Sequence, residues 1–290
     1  GTGGFLVETY NHLNEQCSTV QDLDVLQKHS IFGGEAKPLP YMLCQMNMLL
    51  HGLEFPQIDP ENSLRFPLRE IGDAQRVDMI LTNPPFGGEE EDGILGNFPE
   101  DKRNKETALL FLQLIMRKLR RQPKPGRASV VVPDGMLFGD GVAARIKEEL
   151  LKEFNLHTIV RLPNGVFAPY TPIPTNLLFF DRTGPTKEVW YYELPLPEGR
   201  KNYTKTKPLQ FEEFAGCLAW WKERAEGERA WRVPAEQIAQ NGYNLDIKNP
   251  NWKKDLEQLP PEELVESILT KEERIVEIMD EIKWLLAEKR

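Results

Sequence analysis

The sequence is poor in cysteine and histidine, has no long apolar run and lacks any excess of positive charge. Its three cysteines, Cys17, Cys44 and Cys217, are odd in number, far apart and never arranged as C-x-x-C. That spacing excludes a disulfide framework and a cysteine-built metal site, and it points to a reducing, cytoplasmic setting. The four histidines, His12, His29, His51 and His157, form no ligand-spaced cluster, so no metal is expected. No stretch approaches the roughly 20 apolar residues of a membrane span, and no signal peptide is visible. The formal net charge is −9. A free-standing nucleic-acid binder draws its affinity from neutralising phosphates and is normally basic. A nucleic-acid enzyme with this charge balance must localise its positive residues or borrow charge from a partner.

What is present is enough for a substantial core. The chain has 290 residues, 40% hydrophobic and 28% charged, which suits one large domain or two ordinary ones. Strand-like runs alternate with helical ones. Ser30 to Gly33 is a short apolar run that ends near Glu35. Pro40 to Leu53 has helical length and an apolar face. Val77 to Thr82 reads as a strand stopped by Pro84-Pro85. Thr107 to Leu119 reads as a helix, Ala128 to Val132 as a strand and Val142 to Phe154 as an amphipathic helix. His157 to Leu162 and Asn176 to Phe180 are further strands. Alternation of this kind predicts a mostly parallel sheet with helices on both faces. We therefore expect a catalytic domain over residues 1–183. A Pro- and Trp-rich mixed lobe follows over 184–250, and a helical tail over 251–290. The start at Gly1-Thr2-Gly3-Gly4, without Met or a preceding strand, is expected to be a cut through a longer chain.

One tetrapeptide carries chemistry. Asn83-Pro84-Pro85-Phe86 closes the strand Val77 to Thr82, at the sheet edge where open α/β folds bind ligands. The N6 amino group of adenine is a poor nucleophile because its lone pair is delocalised into the ring. Acceptors aimed at its two N–H groups localise that pair for attack on a methyl sulfonium. The side-chain oxygen of Asn83 and a neighbouring backbone carbonyl are suitable acceptors, and Pro84 and Pro85 fix their geometry in advance. Phe86 is placed to stack on a base flipped from its duplex. Alone, the tetrapeptide reads equally well as a tight turn with Phe86 in the core.

The glycine-rich Gly1-Thr2-Gly3-Gly4 opens a helix, where backbone can approach a ligand and free N–H groups are exposed. Glu35 follows the next apolar run and is placed to accept hydrogen bonds from ribose hydroxyls. Asn62 or Asp59, at a third strand end, would border the adenine of a cofactor. A dinucleotide enzyme would share these features. However, the sixth position of G-x-G-x-x-G is Leu6, and nothing beyond the loop suggests nicotinamide chemistry.

The order of motifs, G-T-G-G-F-L, an acidic strand end, T-N-P-P-F-G and then P-N-G-V-F-A-P, resembles the gamma-order amino methyltransferases of DNA. It is most similar to the modification (methylase) subunit of type I restriction-modification systems. The resemblance implies a Rossmann-like S-adenosylmethionine-dependent methyltransferase fold. It implies cofactor binding by Gly1, Thr2, Gly3, Gly4 and Glu35, with Asn62 where the family often has Asp. Asn83, Pro84, Pro85 and Phe86 would hold and stack the target adenine, and Phe167 would cover its other face. The implied partners are DNA, a specificity subunit that reads the site, and a restriction subunit. None of the cysteines follows a proline, in keeping with amino rather than ring-carbon methylation.

Two local basic runs stand against the acidic total: Lys102 to Arg127, and Arg200-Lys201 through Lys205 and Lys207. Either is a candidate phosphate track or a solvated surface. Leu264, Ile268, Ile275, Ile278, Ile282 and Leu285 occupy heptad positions interrupted by Lys271, a candidate docking helix for the specificity subunit. Two other readings stay open: a protein-glutamine N-methyltransferase, whose substrate amide poses the same chemical problem, and an inactive assembly module with the same fold.

Overall fold

The computed structural model describes residues 1–251 and, in the tail, positions 265, 269, 272, 275, 276, 278 and 279. The chain divides into two units, Gly1–Pro250 and Asn251–Arg290.

The first unit opens with helix α1 (Gly4–Asn14) and the short α2 (Val20–Val25), followed by strand β1 (Phe32–Gly34), α3 (Pro38–Leu50) and β2 (Gln57–Asp59). β1 and β2 pair in parallel as a two-stranded sheet. Val7, Tyr10, Cys44, Met48 and Ile58 form their common core. β3 (Met79–Thr82), α4 (Asp92–Leu95), α5 (Thr107–Lys118), β4 (Arg127–Pro133), α6 (Val142–Glu153) and β5 (Asn155–Arg161) come next. β6 (Thr175–Asp181), β7 (Glu188–Glu193), α7 (Ala215–Glu223), β8 (Ala230–Pro234) and α8 (Ala235–Gln240) complete the unit.

The second sheet has six strands in the order β3-β4-β6-β5-β7-β8. It is mixed, whereas the sequence pattern points to a mostly parallel one. β6 lies antiparallel between β4 and β5, and β8 is antiparallel to β7. The β3–β4 and β5–β7 pairs are parallel. β3, β4, β5 and β7 therefore all end at one edge of the sheet, and β6 begins there. Residues 184–250, expected from sequence to be an appended lobe, supply β7 and β8 to this same sheet.

Both faces of the sheet are covered, as β6 illustrates through its period-2 alternation. Leu178 and Phe180 face a core shared with α5, α6 and α8. Leu177 and Phe179 face the opposite core with Cys217, Trp220 and Trp221 of α7. α5 is apolar nearly all round because it separates two cores: Leu109, Leu112 and Met116 pack on the sheet, while Leu110 and Leu114 pack on Leu64, Leu68 and Phe98. Its one buried amide, Gln113, is satisfied by the carbonyl of Lys102 at 3.2 Å.

In the second unit Asn251 lies in a turn, and the described positions between 265 and 279 are helical and expose Val265, Leu269, Ile275, Val276, Ile278 and Met279. Of the heptad residues, Leu264, Ile268, Lys271, Ile282 and Leu285 lie outside the described residues. No helix among the described residues is long and apolar enough to cross a membrane.

Candidate active site at the carboxyl edge of the sheet

β3 delivers Asn83 to the carboxyl edge, and two prolines then end the strand by removing its ladder donors. Pro84 is buried and anchors the turn, whereas Asn83 is exposed. The Asn83 amide makes no hydrogen bond among the described residues, so both its polar atoms are free for a ligand. Phe86 is half-buried. Beyond it, Gly87 and Gly88 have φ of 142° and 106°. The buried Thr107 hydroxyl donates to the carbonyl of Gly88 at 2.9 Å, pinning the far end of the loop to the start of α5.

The second loop of the site follows β5. Leu162-Pro163-Asn164-Gly165-Val166-Phe167 turns at Gly165, where φ is 80°. A Cβ at Gly165 would stand 2.4 Å from the carbonyl oxygen of Tyr203, so only glycine fits there. The Phe167 carbonyl accepts from Tyr170 N–H at 2.8 Å and Thr171 N–H at 3.1 Å, which closes the loop. Phe167 and Phe86, more than eighty residues apart, are brought edge to face with centroids 5.5 Å apart.

A third element lies at the same edge. Asp134 follows β4, and Asn176 is the second residue of β6. Asn176 is 1% exposed, and its Nδ2 donates to Asp134 Oδ1 at 2.6 Å. The backbone N–H of Asp134 donates to the carbonyl of Pro174 at 2.9 Å. Sequence reasoning misses this pair. The signal that would find it is an Asp-Gly step directly after the apolar run ending at Pro133, the same strand-end logic that singles out Asn83.

The expected cofactor residues gather around the first sheet. Gly3 is the left-handed N-cap of α1, with φ 83°, and a Cβ there would meet Cys44 Sγ at 2.7 Å. No heavy atom lies within 4 Å of where a Cβ would stand on Gly1 or Gly4, so the backbone is open to a ligand there. The Thr2 carbonyl accepts from Asn47 Nδ2 at 2.9 Å. Glu35, just after β1, accepts from the Lys37 N–H at 2.7 Å. Asn62 is turned differently: its oxygen accepts from Leu64 N–H at 2.9 Å and its amide donates to Glu90 at 3.2 Å. That second bond ties the segment after β2 to the loop after Phe86. Asp59 is paired with Arg65 at 2.6 Å. Among the described residues, no set of three or more His, Cys, Asp or Glu side chains gathers as a metal site.

The sequence model of the family "N-6 DNA Methylase" matches residues 1–258. The chain is 49% identical to the type I restriction enzyme EcoEI methylase subunit of Escherichia coli, a match that takes in 99% of this chain and 59% of that protein. A solved modification subunit assigned to a type I restriction enzyme of Vibrio vulnificus YJ016 is 66% identical with a TM-score of 0.84, over 89% of this chain and 55% of that one. A chain from a structural study of type I restriction-modification complex assembly is 43% identical with a TM-score of 0.83, over 100% of this chain and 61% of that one. The chain thus spans less than two thirds of the length of each.

Proposed function

Since the chain belongs to the N-6 DNA methylase family and has the fold of S-adenosylmethionine-dependent methyltransferases, we propose that it forms the catalytic part of a type I modification subunit. The reaction is methylation of the N6 amino group of adenine in duplex DNA. One observation carries the reading: a hydrogen-bond-free Asn83 amide on a proline-stiffened turn, beside an aromatic pair, at the carboxyl edge of the sheet.

The methyl donor on this reading is S-adenosylmethionine, which supplies an electrophilic sulfonium methyl when bound. Gly1 to Gly4 and Glu35 would hold it, and the open backbone at Gly4, in the first turn of α1, suits a ribose-bearing ligand. Asn62 has its side chain engaged by Leu64 and Glu90 and would join only by exchanging those partners.

The chain's own residues prepare the nucleophile. Asn83 Oδ1 accepts one amino hydrogen and a carbonyl of the same turn accepts the other, which draws the lone pair out of the ring and onto nitrogen. The pyrrolidine rings of Pro84 and Pro85 hold these acceptors in place before the base arrives. Phe86 and Phe167 supply apolar faces that offset the loss of stacking when the base leaves the duplex. Protein partners on this reading are a specificity subunit and a restriction subunit, in the cytoplasm.

The experiment is transfer of a radiolabelled methyl group to duplex DNA by the full-length protein assembled with the subunits encoded beside it. Label appearing as N6-methyladenine is expected. Absence of DNA label with every partner present, or label on a peptide glutamine instead, would remove the reading.

A further inference from the structure

β7 runs parallel to β5, so its end at Glu193 reaches the same edge as Asn83 and the Phe167 loop. The chain leaves this edge as an irregular strap that passes directly over that loop. Tyr203 N–H donates to the carbonyl of Asn164 at 3.1 Å, and the Tyr203 carbonyl lies against Gly165. The Tyr203 side chain is 0% exposed, and its hydroxyl donates to Glu213 at 2.5 Å. The strap is therefore clipped to the turn that carries Phe167.

Basic residues surround the clip. Thr204 and Lys207 exchange backbone hydrogen bonds of 3.3 and 3.1 Å, which makes a tight turn with Lys205 at its outside. Lys201, Lys205 and Lys207 are exposed and form no ion pair among the described residues. The Arg200 guanidinium lies 5.7 Å over the Tyr203 ring, and one of its terminal nitrogens is buried without a hydrogen-bond partner. Of the nearby carboxylates, Glu198 is exposed on the strap, and Glu213 is occupied by Tyr203 and by Gln210 N–H at 2.9 Å.

The competing basic run is placed differently. Arg121 and Lys124 precede β4 and Arg127 begins it, at the opposite edge of the sheet. A seven-residue strand separates them from the site, about 20 Å at roughly 3.3 Å per residue. Arg76 and Arg182 at that edge donate to carbonyls at the end of α5, Arg117 at 3.3 Å and Met116 at 2.6 Å. Lys102 and Lys105, nearer the site, are paired with Glu149 at 2.5 Å and Asp92 at 3.1 Å. The loop after Phe86 is itself acidic through Glu89, Glu90, Glu91 and Asp92, and repels a phosphate chain on that flank.

We propose that the strap Arg200–Lys207 holds the phosphodiester backbone of the substrate DNA beside the extruded base, and that the Arg121–Arg127 run does not. The proposal rests on the DNA-methylation reading above. Arg103 and Arg145, on the other flank, also lack ion pairs but donate to the carbonyls of Phe98 and Asp101, whereas the strap offers three lysines with neither an ion pair nor a side-chain hydrogen bond among the described residues, and Tyr203 couples their position to that of Phe167.

The test uses the full-length subunit in its assembled complex and a duplex that the wild-type complex methylates. Binding is measured across a salt series for wild type, for K201Q/K205Q/K207Q and for R121Q/K124Q/R127Q. The strap variant is expected to lower the magnitude of the log K against log salt slope by about 3, near one for each phosphate no longer neutralised. The second variant is expected to keep the wild-type slope. An unchanged slope in the strap variant, or an equal loss in the Arg121 variant, overturns the proposal while leaving methylation intact. A wild-type complex that methylates no DNA overturns the underlying reading, and the proposal with it.

Discussion

The rings of Phe86 and Phe167 meet edge to face, with centroids 5.5 Å apart and planes at 81°. A base held between two aromatic faces needs them about 7 Å apart, two contacts of ~3.5 Å. On the proposed reading the pair fills the space that a base would take, and the rings must part to admit it. Their mutual contact, worth about 0.5–1.5 kcal/mol, is exchanged for two contacts with the base.

Removing either ring should therefore weaken base capture without harming the fold. Phe86→Ala and Phe167→Ala are each expected to lower kcat/KM by roughly 5- to 150-fold, corresponding to about 1–3 kcal/mol of stacking. The double variant should lose less than the product of the two. Methyl-transfer kinetics on one duplex check this, and a strictly multiplicative double variant would show that the rings do not act on a common base.

Asn83→Ala should cripple transfer at small structural cost. The side chain is exposed and has no hydrogen bond among the described residues, so stability should change by less than about 0.5 kcal/mol. Loss of one preorganised hydrogen-bonding group is expected to lower kcat by about 10²–10³-fold, with affinity for S-adenosylmethionine nearly unchanged by calorimetry. Turnover at the wild-type level would refute the role given to Asn83.

Gly165→Ala should couple stability to activity. The added Cβ falls 2.4 Å from the Tyr203 carbonyl at a φ of 80°, so backbone must shift. A cost of about 1–3 kcal/mol is expected from the backbone conformation alone, lowering Tm by about 2–4 °C per kcal/mol. Because the shift displaces Phe167, kcat/KM should fall further than the loss of folded protein explains. Activity measured well below the melting transition separates the two effects.

His157 should make stability depend on pH. Burial, with the neighbouring Arg224 guanidinium adding to it, lowers its pKa to about 4. The folded state holds it neutral, while the unfolded state takes up a proton near pH 6.5. Stability is then fully present above about pH 6.5 and falls as pH drops toward 4, by on the order of 3 kcal/mol. Urea midpoints at pH 7, 5.5 and 4.5 check this. His157→Gln should flatten this window, and an unchanged slope would reassign it to carboxylates.

Much of the candidate site is legible in the sequence because its elements are local. An apolar run, two prolines and an aromatic lie within ten residues around Asn83, and a strand end is easy to read when proline forbids its continuation. Placing Asn62 at a cofactor needs more than spacing: its side chain is taken by Leu64 and Glu90, and the second of these is distant in sequence. β6 is readable as a strand, but alternation in Asn176 to Phe180 is blind to direction, so its antiparallel insertion is not. The Asp134–Asn176 bond and the seating of Gly165 on Tyr203 join residues about forty apart. Nothing local in either segment announces its partner.

The two loops that present the rings differ in mechanical character. Phe167 rides on a turn wedged against the strap, while Phe86 sits between stiff prolines and Gly87, which has nothing within 4 Å of its absent side chain. On the proposed reading, the wedged turn sets the plane in which a captured base lies, and the prolines hold Asn83 in place beside it. Alignment of the amino group is then decided by these two stiff elements, while Phe86, next to the open Gly87, is the ring with room to give way.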